Sequence, residues 1–179
     1  MPLDGVTALA ALVLLWSAAA KLRDPDSVAA PLTRLRVPPT IAAARLLALA
    51  EVTVALLALS TPGRAGGLVL AAWYLGLTGV SALLLHWGGA SCGCFGGGSA
   101  PPHRIHVVAN SALALAGAVA AIAASPAPLP ALLDGGVSGA VLAAEALVGA
   151  ALVVALYRDL PRALTRPRSD LAELRLTAR

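Results

Sequence analysis

The sequence predicts an all-α protein: a polytopic transmembrane helical bundle with a four-helix core and a fifth, C-terminal span. Three observations carry that prediction. Hydrophobic residues make up 59% of the 179 residues, charged residues only 12%, and mean hydropathy is +0.84. Soluble domains hold about 45–50% apolar and about 25% charged residues, so this chain cannot cover a water-facing surface. The apolar residues are also gathered into five runs long enough to cross a bilayer, which takes about 20 residues at 1.5 Å each. Finally, the charges crowd into two stretches, Lys21 to Arg36 and Arg158 to Arg179, that flank those runs. A soluble enzyme, a disordered tail and a nucleic-acid-binding domain are excluded together. The net charge of +4 reflects loops beside membrane spans, and no nucleic-acid partner is expected.

The spans are expected near residues 3–20, 39–60, 65–87, 105–124 and 136–157, each helical because backbone groups in lipid must be satisfied within the segment. The first run follows Met-Pro-Leu-Asp, which lacks the positive start of a signal peptide, and so reads as an uncleaved span. Between the first two spans, Val28, Leu32 and Leu35 recur at helical spacing among charges, as in an amphipathic helix lying on the membrane surface. The segment 88–104 is rich in Gly and Pro and holds both cysteines. Ser125-Pro-Ala-Pro-Leu-Pro130 reads as a stiff proline-rich turn. Beyond Tyr157 comes a basic segment with Pro161 and Pro167 as breakers. Residues 1–157 are thus expected to form the bundle and 158–179 a basic cytoplasmic tail. Small residues such as Gly63, Gly66, Gly67, Gly76 and Gly79 would let helices approach closely, or reflect compositional bias.

Five spans place the 21–36 loop, the cysteine loop and the tail on one side, which then holds nearly all the Lys and Arg outside the spans, with Arg64 opposite. The positive-inside rule puts that side in the cytoplasm.

The residues that carry chemistry are concentrated in Ser91-Cys92-Gly93-Cys94-Phe95-Gly96. Two thiols separated by one glycine can close a tight, strained disulfide, the labile kind. Gly93 permits the bend, and the glycines after Phe95 allow a partner's backbone to approach. The N-terminus of the next helix would help stabilise a thiolate. Two other readings stand beside this one: inert structural thiols, or metal ligation by Cys92 and Cys94 completed from His86, His103 and His106, since Cys₂His₂ is an ordinary zinc set and thiolates also suit Cu(I). Glu51, deep in the second span, reads as a proton carrier or as a carboxyl hydrogen-bonded across helices. Arg45, six residues earlier, falls on a different face and can snorkel to the surface. Glu145 in the fifth span invites the same two readings. Lys21 reads as a snorkelling lysine and Asn110 as an interhelical hydrogen bonder. Trp16, Trp73, Trp87, Tyr74 and Tyr157 read as interfacial anchors or packing.

Taken together, Ala20-Lys21-Leu22-Arg23-Asp24-Pro25, the Pro38 approach to a span bearing Glu51, and Cys92-Gly93-Cys94-Phe95-Gly96 before a span with Asn110 resemble the methylamine-utilisation MauE family, a branch of the DoxX-like integral membrane proteins. The likeness covers roughly residues 6–124. It implies a multi-pass protein of the cell membrane, tied to maturation of disulfide-bearing proteins beside a thioredoxin-like partner. By that resemblance a role with exported proteins favours outward-facing cysteines, against the inward placement from the charges. The expected function is thiol–disulfide exchange by Cys92 and Cys94, as a component of an oxidoreductase system with a quinone as a candidate electron acceptor. Gly93, Phe95, Gly96, Glu51, Lys21 and Asn110 would support it. The alternatives are a non-catalytic assembly factor and a metal-handling protein using Cys92, Cys94, His103 and His106.

Overall fold

A computed structural model of the chain describes residues 3–62, 64–88 and 103–165. Among them are seven α-helices and no strand: α1 (Leu3–Arg23), α2 (Ala29–Arg34), α3 (Ile41–Ser60), α4 (Arg64–His86), α5 (Arg104–Ile122), α6 (Pro128–Asp134) and α7 (Gly136–Thr165). Helices α1, α3, α4, α5 and α7 are each long and apolar enough to cross a membrane, as the hydropathy pattern requires. This is a helical membrane bundle.

Helix α1 is the hub. It packs against α3 on one side and α7 on the other and touches α5, while α4 and α5 form a closely fitted pair. Its core face is made of small residues: Ala8, Ala10, Ala11 and Ala18 are buried, with Val13 and Leu14 between them. Small side chains suit this position, because lipid tails offer no hydrophobic drive and helices gain by close contact. The outer faces carry exposed leucines such as Leu46, Leu75, Leu115 and Leu152, as lipid contact demands.

The α4–α5 fit rests on two glycines. A Cβ built on Gly67 would lie 2.5 Å from the Ala121 nitrogen and 2.6 Å from the Gly117 oxygen; one on Gly117 would lie 2.8 Å from the Ala71 nitrogen. Gly66 is similarly crowded, by the Thr61 carbonyl. Around Gly76 and Gly79 a Cβ would meet nothing within 4 Å, so these two reflect composition, and the expected close approach belongs to Gly66 and Gly67.

Three local expectations change. The stretch after α1 is no single surface helix: α1 runs on to Arg23, a 3₁₀ turn covers Pro25–Val28, and α2 is only 6 residues long. Asp24-Pro25 separates this stretch from α1, and of the three apolar residues Val28 falls in the 3₁₀ turn, Leu32 in α2 and Leu35 at its C-cap. The proline-rich turn ends at Ala127, because Pro128 starts α6 at its first position, where the missing N–H costs nothing. Pro161 does not break α7, which continues to Thr165. Its ring is buried, and in membrane helices packed neighbours compensate the backbone group a proline frees.

Helices α1, α4 and α7 end, and α3 and α5 begin, on one face. Arg34 of α2 donates to the Trp87 carbonyl at the end of α4 (3.4 Å), and Tyr157 of α7 meets the first turns of α5. The end of α4 and the start of α5 therefore share this face.

Candidate functional site

Lys21 sits in the last turn of α1, yet it is 3% exposed, and Glu51 is 1% exposed. The Cα–Cβ bonds of a helix tilt toward its N-terminus. At the end of α1 that direction points back into the bundle, so the expected snorkelling is reversed. On α3, which runs the other way, the same tilt aims Glu51 out toward Lys21. The Lys21 Nζ lies 2.9 Å from both Glu51 oxygens and donates a third bond to Ser17 Oγ. Ser17 in turn donates to Glu51 Oε1 at 3.2 Å. All three ammonium hydrogens are thereby used, in a fork that fixes α1 to α3. Glu51 is thus hydrogen-bonded across helices, to Ser17 and to Lys21, with the Lys21 Nζ at ion-pair distance. Arg45 is exposed on the other face of α3, as its spacing indicates.

A second polar group holds three other helices. Asn110 of α5 donates from Nδ2 to Ser81 Oγ of α4 (3.1 Å) and accepts at Oδ1 from the Tyr157 hydroxyl of α7 (2.7 Å). The expectation for Asn110 holds. Tyr157 and Tyr74 are buried, and the Tyr74 hydroxyl donates to the Ala10 carbonyl of α1 at 2.7 Å. They are core hydrogen-bond donors, not interfacial anchors. Between the two polar groups lies a small cavity lined by Ser17, Asn110, Tyr157, Tyr74, Val13, Leu14 and Leu77, with about 10 Å³ open to the centre of a water molecule, the size of one water.

His103 and His106 close the start of α5. The His103 Nδ1 accepts from the Ile105 N–H (3.3 Å) and the His106 Nδ1 from the His103 N–H (3.1 Å), satisfying backbone donors that a helix start leaves open. His106 also packs edge-on against Tyr157, ring centroids 5.2 Å apart. The His106 Nδ1 also lies 3.2 Å from the His103 carbonyl, so its donor or acceptor role follows the ring tautomer. Among the described residues no group of three or more ligating side chains converges. His86 is exposed at the end of α4.

Cys92, Gly93, Cys94, Phe95 and Gly96 lie outside the described residues. Of the other expected site residues, Lys21 and Glu51 come together, Asn110 joins a separate cluster, and His103 and His106 share a cap. Ser17, Ser81 and Tyr157 complete these clusters and were not expected from sequence. Ser17 stands one helical turn before Lys21, a signal that was available. Ser81 and Tyr157 lie 29 and 47 residues from Asn110, and no local pattern marks them.

A comparison with family models matches residues 2–124 to "Methylamine utilisation protein MauE". The chain belongs to the MauE family. No curated protein and no solved structure matches it. As a member of MauE, with five helices able to span a membrane, it is a multi-pass membrane protein of a methylamine-utilisation-associated family. The match takes in Lys21, Glu51, Asn110 and both cysteines, and stops before α6 and α7.

Proposed function

We propose that this MauE-family protein is the membrane component of a thiol–disulfide exchange system of the plasma membrane, supporting the maturation of disulfide-bearing proteins with a thioredoxin-like partner. The observation that carries this reading is the Cys92-Gly93-Cys94 sequence. It contains the chain's only two cysteines, within the family-matched segment and in the connection between α4 and α5. A partner thiolate attacks one sulfur of the Cys92–Cys94 disulfide, which opens to a mixed disulfide and one thiolate. The partner's second thiol then releases the loop as a dithiol. Two electrons have moved from partner to loop, and the partner has gained a disulfide.

Restoring the loop disulfide needs a two-electron acceptor. A quinone suits it, taking two electrons and two protons to become a quinol. An apolar groove of about 410 Å³ between α5 and α7, with Arg104 at its loop end, supports access for such a lipid-soluble carrier. Glu51 is the proposed proton-coupling group. Its bonded neighbour Ser17 lines the same one-water cavity as Asn110 and Tyr157, which supports a proton-exchanging position beside it.

The test is trapping. With a thioredoxin-like partner whose second cysteine is replaced by Ser, a mixed disulfide should form with this chain. It should be lost in the Cys92→Ser/Cys94→Ser variant, which should still insert but fail to complement. Full complementation by that variant overturns the exchange reading and leaves a docking role for the loop.

A further inference from the structure

Glu145 is placed where a carboxyl is least expected. It lies nine residues into α7, roughly 13 Å from Gly136 at 1.5 Å per residue, near the middle of a hydrocarbon core about 30 Å thick. It is exposed, and α1, α5 and α6, which pack against α7, leave it uncovered. Among the described residues it makes no hydrogen bond or ion pair. Ionisable residues in membrane spans almost always face a protein interior or a water-filled cavity, so an outward Glu at this depth marks a surface that something covers.

The residues around it form a pattern. Val141, Glu145, Val148 and Leu152 recur at alternating intervals of four and three, extended by Ser138 before and Ala155 after. That is the seam spacing of a left-handed helix pair, the commonest crossing in membrane bundles. Val141, Val148 and Leu152 are 52%, 61% and 66% exposed, so the seam is unused within the chain.

We propose that α7 is a homodimer interface, with Glu145 hydrogen-bonded to Glu145 of a second copy. Symmetry selects this occupant. Copies inserted in one membrane share one orientation, so a two-fold axis along the membrane normal sets the α7 helices parallel and brings every seam residue to its counterpart at equal depth. Glu145 then meets a carboxyl without adjustment. When one of the two is protonated, its O–H donates to the other's oxygen, and both leave lipid. Helix α7 lies outside the family-matched residues 2–124, so dimerisation would be added to the core rather than built into it. It is independent of the thiol chemistry.

The test uses the full chain in the Cys92→Ser/Cys94→Ser background, reconstituted in phosphatidylcholine vesicles at high lipid dilution. Under mild oxidation, Val148→Cys should give covalent dimers. Leu147→Cys, exposed on the opposite edge of α7, should not. Adding Glu145→Leu to Val148→Cys should lower the dimer association constant about tenfold, the scale of one interhelical polar contact, while Glu145→Gln should retain most of it. Replacing an exposed side chain leaves the bundle folded. Equal cross-linking at 147 and 148, an unchanged constant in Glu145→Leu, or a chain monomeric at every dilution overturns the proposal; the last outcome would assign the face to another membrane protein.

Discussion

Removing one partner of the Lys21–Glu51 pair leaves a lone charge buried between helices. Breaking a buried pair in this way costs about 3–5 kcal/mol. Glu51→Gln and Lys21→Met should each lower stability by about that amount in reversible unfolding in detergent. The double variant Lys21→Met/Glu51→Leu should recover most of the loss, because two apolar side chains of similar volume need no partner. A double variant as unstable as the singles would show that the pair does not act as a unit. The second residue-scale prediction concerns Ala124, which ends α5 in the left-handed region (φ +49°). It sits in a paired turn in which Ser125 N donates to the Ala120 carbonyl and Ala124 N to that of Ala121, the position glycine usually fills. Ala124→Gly should stabilise by about 0.5–1 kcal/mol, strain relieved less the added freedom of the unfolded chain; a lower melting temperature would contradict this. At this scale the sequence marked Glu51 as a carboxyl deep in a span and Lys21 as a lysine reaching for the membrane surface. It did not join them, because their meeting depends on the opposed tilt of side chains on two antiparallel helices, which is set by packing and not by any local pattern.

Between elements, α4 and α5 depend on contact without side chains. Gly117→Val would drive a branched side chain into the Ala71 backbone, where even a Cβ lies 2.8 Å from nitrogen and 3.0 Å from the Gly67 oxygen. Overpacking of this kind costs about 1–3 kcal/mol and should separate the helix pair. Gly76→Ala, with open space around it, should be neutral or stabilising by up to about 1 kcal/mol, from the helix preference of alanine. Thermal unfolding of the two variants side by side checks both statements, and similar melting temperatures would refute the close-packing argument. All five spans were legible from hydropathy, and the described helices begin and end within a few residues of the expected bounds except at α7. That is because a bilayer imposes length and apolarity on each segment alone. The short helices were less legible. Helices α2 and α6 have 6 and 7 residues, too few for periodicity to declare itself; Pro128, which read as part of a turn, starts α6, and Pro161, which read as a breaker, is absorbed in α7.

Across the whole molecule, the odd number of spans fixes which segments share a side, and this gives the prediction with the widest reach. Helices α1, α4 and α7 finish on the face where α3 and α5 begin, so five spans predict that the connection holding Cys92 and Cys94 and the residues after α7 share one side of the membrane. Nearly all the Lys and Arg outside the spans fall on that side, including the six arginines from Arg158 to Arg179, with Arg64 opposite. Burial of Lys21 in its ion pair removes one charge from the count without reversing the asymmetry. Positively charged short loops stay in the cytoplasm, so a membrane-impermeant thiol reagent applied to intact cells should leave Cys92 and Cys94 unlabelled until the membrane is opened. A tag placed after Arg179 should be shielded in parallel. Labelling of both cysteine and tag from outside would invert the orientation and place thiol exchange beside exported partners. Labelling of one without the other would break the five-span topology itself. Repeating the labelling with and without prior reduction also reads the redox state of the pair: thiols that react only after reduction are held as a disulfide, the form from which the proposed exchange begins.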